Sequence, residues 1–372
     1  MTMNFKGLAL PGIRNLMPYK GGKPIEEVER EFGVSKIVKL CSNESPLGVS
    51  PLVRSAIIDA LDESSRYPDG SGYYLKKKLS TNLSVNSNQL TLGNGSNDLL
   101  ELLAKSFLGS DHSAIFSQHA FLVYKLVVTA QGASSIVVPA KNWGHDLQAM
   151  SDAVEKHTRL IFIANPNNPT GTFVALDEIK QFMRGIPENV LVVIDEAYFE
   201  YVDFNEYGTA LDLIHQFPNL VVTRTFSKAY GLASLRVGFS VSHPDIAEVL
   251  NRVRQPFNVN SLALVGAIAS LDDHNHLKES IEVNRNGYKQ LVEGVNLLGL
   301  DFIPSACNFI SIKIPNNANN LYKMLLHKGV ITRTIEVYDM PDHLRVSVGL
   351  QEENKYFLDS LKDLLDGRGG RL

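Results

Sequence analysis

The sequence predicts an α/β fold: a mostly parallel sheet forms a large domain, and a smaller α+β domain follows it in the chain. Three observations carry that prediction. From Pro51 onward, short apolar and β-branched runs alternate with helix-like stretches, the pattern of strands covered on both faces by crossover helices. Polar segments rich in Gly, Asn or Pro follow several of these runs, where open α/β sheets collect their ligands. From about Asn258 the texture changes to a long helical stretch and then alternating strands, which reads as a second, α+β unit.

The elements follow in order. Residues 1–50 form an N-terminal arm, 51–258 the large domain and 259–372 the small one. The strand candidates are the runs 113–116, 135–138, 160–163, 190–194 and 220–222, each short and dominated by apolar residues. A helix with few breakers is expected over 261–294, then strand pieces over 308–314 and 343–348. The tail, DGRGGRL, is expected to fray. No internal repeat or low-complexity tract interrupts the chain. With 372 residues and 44% hydrophobic composition, it can bury one large core and a smaller one.

Composition excludes several classes. A net charge of −4 with interspersed signs argues against a nucleic-acid surface, which shows a basic excess. The opening MTMNFKGLALPGIRN is too short in its apolar stretch for a signal core and is broken by Pro11. No run approaches the roughly 18 apolar residues of a membrane span. Cys41 and Cys307 are the two cysteines, and their wide separation indicates neither a disulfide framework nor a zinc site. Reduced thiols in a cytoplasmic protein are the expectation.

Four segments carry chemistry. Lys228, in TFSKAYGLASLRVGF, directly follows a strand candidate, and Arg236 lies eight positions on. Taken alone, a lysine is a solvated charge. Burial or a neighbouring cation turns its amine into a nucleophile toward carbonyls, suited to a Schiff base. The arginine offers a fork for a phosphate. NPNNPTG, residues 165–171, sets two Asn-Pro steps at a strand end; each bond can be cis, and Asn168 is held between the prolines. DEAY, residues 195–198, puts Asp195 at a strand end, where an acid ordinarily caps a helix, and Tyr198 can face the same crevice. GNGSND, residues 93–98, precedes a helical pattern. Its glycines permit a tight turn, Ser96 or Asn97 can cap the helix, and free backbone N–H groups can meet an anion. It is neither a Walker loop nor GxGxxG.

In this order and spacing the four segments resemble the fold-type I aminotransferases, which use pyridoxal 5'-phosphate. NLMPYKGGKPIEEVEREFG, CSNESPLG, RYPDG, RQPFNVN and GVITRTIEVYDMPDHLRVSVG are similar to the histidinol-phosphate aminotransferase branch of that family. The resemblance covers nearly the whole chain and implies a fold-type I large domain with a mostly parallel seven-stranded sheet. It implies Lys228 as the catalytic lysine that links to the cofactor and shuttles a proton. Asp195 would pair with the ring nitrogen; Tyr198 and Asn168 would bind the ring oxygen. Gly95, Ser96, Asn97, Ser227 and Arg236 would hold the phosphate, and Phe121 would stack on the ring. Tyr67 would reach the phosphate of a neighbouring subunit, which implies a homodimer. Tyr19, Arg333 and Arg345 would bind substrate, with Arg345 on the carboxylate. The implied substrates are histidinol phosphate and glutamate or 2-oxoglutarate, with no nucleic acid and no membrane.

One departure stands out: Ser45 in SNESPLG occupies a position where the family pattern has Asn, near the expected substrate entrance. Other readings keep the cofactor and change the substrate to an aromatic amino acid or threonine phosphate; NLMPYKGG and RQPFNVN favour histidinol phosphate. A ligand-sensing regulator would carry a basic DNA-binding domain ahead of the NPNNPTG turn, and none precedes it. A nucleotide-dependent dehydrogenase lacks its glycine fingerprint here.

Overall fold

Each apolar run becomes a strand, and the polar segment behind it becomes a loop at one edge of a sheet. In chain order, a short β1 (Val38–Lys39) precedes β2 (Leu90–Gly93), β3 (Ser113–Ser117), β4 (Ser134–Val138), β5 (Thr158–Ala164), β6 (Leu191–Asp195), β7 (Leu220–Thr225) and β8 (Gly238–Val241). The structure is a computed structural model describing residues 3–14, 16–19, 21–315 and 317–367. In it β2 to β8 form one seven-stranded sheet in the order β2-β8-β7-β6-β5-β3-β4. Strands β7, β6, β5, β3 and β4 run parallel, and β8 is antiparallel to both neighbours. The expected α/β fold with its mostly parallel seven-stranded sheet is met.

The continuous apolar character of these strands has a direct cause. Side chains alternate across a strand, and helices cover both faces. Ile161 and Ile163 of β5 join Val192, Ile194, Leu220 and Val222 in one core, under the helices Pro51–Ala60, Tyr73–Leu83, Leu176–Gly185 and Ser261–Ser270. Leu160 and Phe162 join Val193 and Val221 in the other, under Ser96–Phe107, Leu122–Ala130 and Pro244–Val253.

The helix expected over 261–294 divides in two. Ser261–Ser270 packs into the core of the large sheet, while a separate helix runs over His274–Leu297. The break comes from Asp273, whose carboxylate accepts from the His276 amide at 3.0 Å and starts the second helix as its N-cap. Beyond it, β9 (Phe302–Ile303), β10 (Phe309–Lys313), β12 (Arg333–Ile335) and β13 (Met340–Ser347) form an antiparallel sheet ordered β12-β13-β10-β9, and β11 (Val330–Ile331) pairs with β1 in parallel. Leu291, Ile310, Ile312, Leu344, Val346 and Phe357 share a core there with Val38 and Leu40 from the N-terminal segment. Of the tail expected to fray, residues 368–372 lie outside the described residues.

The alternation that builds the cores also sorts the charges at the end of β6. Asp195, paired with Thr223, faces one side, and Glu196 and Arg224 meet on the other. Arg224 donates to Glu196 Oε2 from Nε at 3.0 Å and from Nη2 at 2.8 Å. The Thr209 hydroxyl and the Ala210 amide complete the carboxylate's shell. Breaking such a buried pair costs about 3–5 kcal/mol, so it clamps β6 to β7 behind the loops that follow them. Among the described residues no helix is long and apolar enough to cross a membrane.

Candidate active site

The loops leaving the carboxyl ends of β2, β5, β6 and β7 converge with β12, β13 and the segment after β1 on a cavity of about 250 Å³. Twelve of the residues expected from the sequence line it in this chain, and Gly95 adjoins it beneath Arg236. Lys228, three residues beyond β7, points its amine at the Ser42 carbonyl at 3.3 Å and lies 5.6 Å from the Tyr198 ring centroid. Burial pushes the amine down to about 8, and the positive charges of Arg345 and Arg236 act in the same direction.

Asp195 ends β6 and is 4% exposed. Its Oδ2 accepts from the Tyr124 hydroxyl and its Oδ1 from Thr223 Oγ1, both at 3.1 Å. Burial pushes this carboxyl up to about 6 against those hydrogen bonds and one from the Ala197 amide. Among the described residues no cation pairs with it. It does not cap a helix, since the chain turns through a short 3-10 segment, Phe199–Tyr201. Tyr198 is buried, with its hydroxyl pushed up by desolvation, and that hydroxyl accepts from Asn43 Nδ2 at 2.9 Å.

Both Asn-Pro bonds of the 165–171 turn are cis. Asn168 Oδ1 accepts from Arg345 Nη1 at 2.5 Å, which leaves its Nδ2 donors for the cavity. Arg345 is 6% exposed; Nη2 donates to the Cys41 carbonyl at 2.9 Å, and Nε is buried with no partner. Arg333 sits opposite it in the β12–β13 register, its guanidinium 5.7 Å from the Tyr19 ring centroid. Half-exposed Tyr19 lines the mouth, and buried Tyr338 lines the same end.

The opposite end is built on the turn after β2. Gly95 has φ +82°, and a Cβ there would lie 2.3 Å from Arg236 Nη2, so only glycine fits. Ser96 begins the helix Ser96–Phe107, and no side chain caps it. The capping expected of Ser96 or Asn97 is therefore absent; Asp98 instead accepts from the Asn94 amide at 2.8 Å and closes the turn. Arg236, itself at φ +58°, donates to Ser227 Oγ at 3.3 Å and the Ala233 carbonyl at 3.0 Å. Phe121 forms part of the wall, edge-on to Tyr124.

Two expectations fall elsewhere. Tyr67 lies outside this chain's cavity, 83% exposed and stacked on Phe257 with ring centroids 4.7 Å apart. Ser45 does not line the cavity but faces Ser280 Oγ at 3.4 Å. The structure adds Tyr124, Thr223, Cys41, Asn43 and Tyr338. Thr223 had a signal, as a polar residue on the β7 face that meets Asp195, and so did Tyr124, three positions after Phe121. Asn43 lies in CSNESPLG, which identifies a family but assigns the residue no partner.

The aminotransferase class I and II model matches residues 35–361 of the chain. The chain belongs to this family. Within it, histidinol-phosphate aminotransferase 1 of Nitrosococcus oceani is 52% identical over 362 residues, covering 97% of this chain and 98% of that protein. Histidinol-phosphate aminotransferase 2 of Pseudomonas aeruginosa is 51% identical and covers 97% and 99%. Among solved structures, histidinol-phosphate aminotransferase from Sinorhizobium meliloti in complex with pyridoxal-5'-phosphate is 28% identical with a TM-score of 0.88, covering 95% of this chain and 97% of that one. L-threonine-O-3-phosphate decarboxylase from Porphyromonas gingivalis shares the fold, at 22% identity and a TM-score of 0.78, over 89% of this chain and all of that one.

Asp195 makes stability depend on pH in the ligand-free protein. Its folded pKa of about 6 lies above its ordinary 3.8, so the folded chain keeps a proton that the unfolded chain releases. The contribution is fully present below about pH 4 and is lost as pH rises through 6. At pH 8, Asp195→Asn is expected to be more stable than the parent by on the order of 2–3 kcal/mol in urea denaturation. At pH 4.5 most of that difference should vanish. A parent at least as stable as the variant at pH 8 would contradict the assignment.

Proposed function

We propose that the chain is a histidinol-phosphate aminotransferase, transferring an amino group reversibly between L-histidinol phosphate and 2-oxoglutarate in histidine biosynthesis. The products are imidazole-acetol phosphate and L-glutamate. The observation that carries the reading is the set of relatives of that name, about half identical over nearly their whole length. The cavity fits the pyridoxal 5'-phosphate these enzymes need. A carboxylate without a cation, a glycine-only cradle under an arginine and an amine depressed to about 8 line one space.

Bound there, the cofactor would supply an electron sink for charge developing at the substrate's α carbon. Asp195 would keep a proton on the ring nitrogen, and that cation would relieve its own burial. Gly95, Ser96 and Asn97, with Ser227 and Arg236, would hold the phosphate at the start of the helix Ser96–Phe107. Phe121 would cover the ring face. Tyr198 and Asn168 would donate to the ring oxygen. Lys228 is a nucleophile near neutral pH because its amine is depressed, and once displaced by substrate it would move the proton at the α carbon.

Arg345 would take the substrate carboxylate, for which its unpartnered Nε is a ready donor. Arg333 and Tyr19 would meet the far end of the substrate. Histidinol phosphate carries phosphate where glutamate carries carboxylate, so an arginine pair serves both half-reactions. The division into an arm over 1–50, a cofactor-binding domain over 51–258 and a small domain over 259–372 belongs to the same proposal, with the helix Ser261–Ser270 packed on the large sheet. So does cytoplasmic residence, which the free thiols of Cys41 and Cys307 support.

The test is a panel of half-reactions with glutamate, histidinol phosphate, phenylalanine and threonine phosphate. Glutamate and histidinol phosphate should discharge the holoenzyme fastest, and Arg345→Ala should cut kcat/KM by about a hundredfold. Preference for phenylalanine would move the assignment to an aromatic transaminase; carbon dioxide released from threonine phosphate would move it to a decarboxylase.

A homodimer completes the proposal, with Tyr67 reaching the neighbouring site. Support comes from two exposed ring pairs, Tyr67 on Phe257 and Tyr73 beside Tyr74, aromatic surface suited to burial. Mixing Tyr67→Ala with Lys228→Ala should restore activity that neither variant has alone, since one site of each mixed dimer is then intact. No recovery after subunit exchange would count against the shared site.

A further inference from the structure

Four consecutive carbonyls, those of Leu40 to Asn43, accept from four donors, two of them on β13, one on the loop after β7 and one just before β10. Leu40 takes the Ser347 amide at 2.9 Å, Cys41 takes Arg345 Nη2 at 2.9 Å, Ser42 takes Lys228 Nζ at 3.3 Å, and Asn43 takes Asn308 Nδ2 at 3.0 Å. The segment is a strap joining β13 to the Lys228 loop, and it ends at Tyr198. Asn43 makes that last contact. It is 1% exposed and sits at φ +53°, a left-handed conformation that asparagine tolerates better than most residues.

Both polar atoms of the Asn43 side chain are engaged. Its backbone N–H donates to Ser347 Oγ at 2.8 Å, and Ser347 Oγ donates back to Asn43 Oδ1 at 3.0 Å. This closed pair turns Oδ1 toward β13 and leaves Nδ2 to donate to the Tyr198 hydroxyl at 2.9 Å. A phenol has a single proton. With its oxygen accepting from Asn43, that proton is left for another acceptor, and Tyr198 lines the cavity. Ser347 is two residues from Arg345 on β13, so both side chains leave the same face of one strand.

We propose that Asn43 is a positioning residue that holds Tyr198 as a hydrogen-bond donor to the cavity and ties its orientation to the strand carrying Arg345. The inference rests on the reading of this cavity as a pyridoxal 5'-phosphate site, where Tyr198 would donate to the ring oxygen. Such donation stabilises negative charge on that oxygen and favours the form in which the lysine-bound nitrogen has lost its proton. The pH midpoint of the holoenzyme's visible absorbance is therefore kept low by Asn43 acting through Tyr198.

Two variants separate this role from support of the backbone. Asn43→Gly keeps a left-handed conformation and deletes the side chain. Asn43→Asp keeps the shape but replaces the donor with an acceptor that captures the Tyr198 proton. In absorbance titrations, Asn43→Asp is expected to raise the midpoint by about one pH unit, and Asn43→Gly by less. In a Tyr198→Phe background, Asn43→Gly should leave the midpoint where Tyr198→Phe alone puts it. A shift from Asn43→Gly that is equal in both backgrounds, or no shift from either variant, overturns the inference. A parent protein that shows no cofactor band at all overturns the functional reading with it; a normal parent band with an Asn43-insensitive midpoint overturns the inference alone.

Discussion

Asp195 keeps a carboxyl group at the end of a central strand with two neutral hydroxyls as side-chain partners, and a charge so placed is costly until a cation meets it. Much of the crevice follows from that constraint. The parallel strands β5, β6 and β7 bring Asn168, Asp195 and Lys228 to one edge because each loop leaves the same end of the sheet. Period-two alternation then puts Glu196 and Arg224 on the opposite face, where a buried ion pair holds β6 against β7. One face receives the group that needs a cation, and the other holds one already paired.

Positive charge is distributed with the same economy. Arg236 lies over a glycine that no other residue could replace, and Arg345 is anchored by Asn168 and the Cys41 carbonyl. Neither arginine neutralises Asp195; both depress Lys228. The crevice therefore presents an arginine at each end, a carboxylate without a cation among the described residues in its floor, and a lysine amine with a lowered pKa between them. A cofactor bearing a phosphate, a protonated ring nitrogen and an aldehyde would answer one arginine, the carboxylate and the amine, and a substrate carboxylate would answer the arginine left over.

Much of this was legible in the sequence. Buried strands announced themselves as continuous apolar runs, and the polar segments after them marked the carboxyl edge. Lys228, Asp195 and Asn168 stood out because each followed such a run. Side chains that act by holding another side chain were harder to see. Thr223 and Tyr124 look like strand and helix packing until the fold brings them to Asp195. Asn43 is separated from Ser347 by 304 residues, and no periodicity links them. The helix expected over 261–294 was misjudged because the capping strength of Asp273 outweighs an otherwise helical pattern. Tyr67 could be assigned from resemblance alone, since nothing in its own chain's cavity calls for it.

The central claim is that Lys228, among all the lysines, carries the cofactor. Borohydride reduction of the holoenzyme followed by peptide mapping addresses it directly. The structure predicts a stable pyridoxyl adduct on the peptide containing Lys228, and none in Lys228→Ala. An adduct on another lysine, or a reducible link that survives in Lys228→Ala, would contradict it.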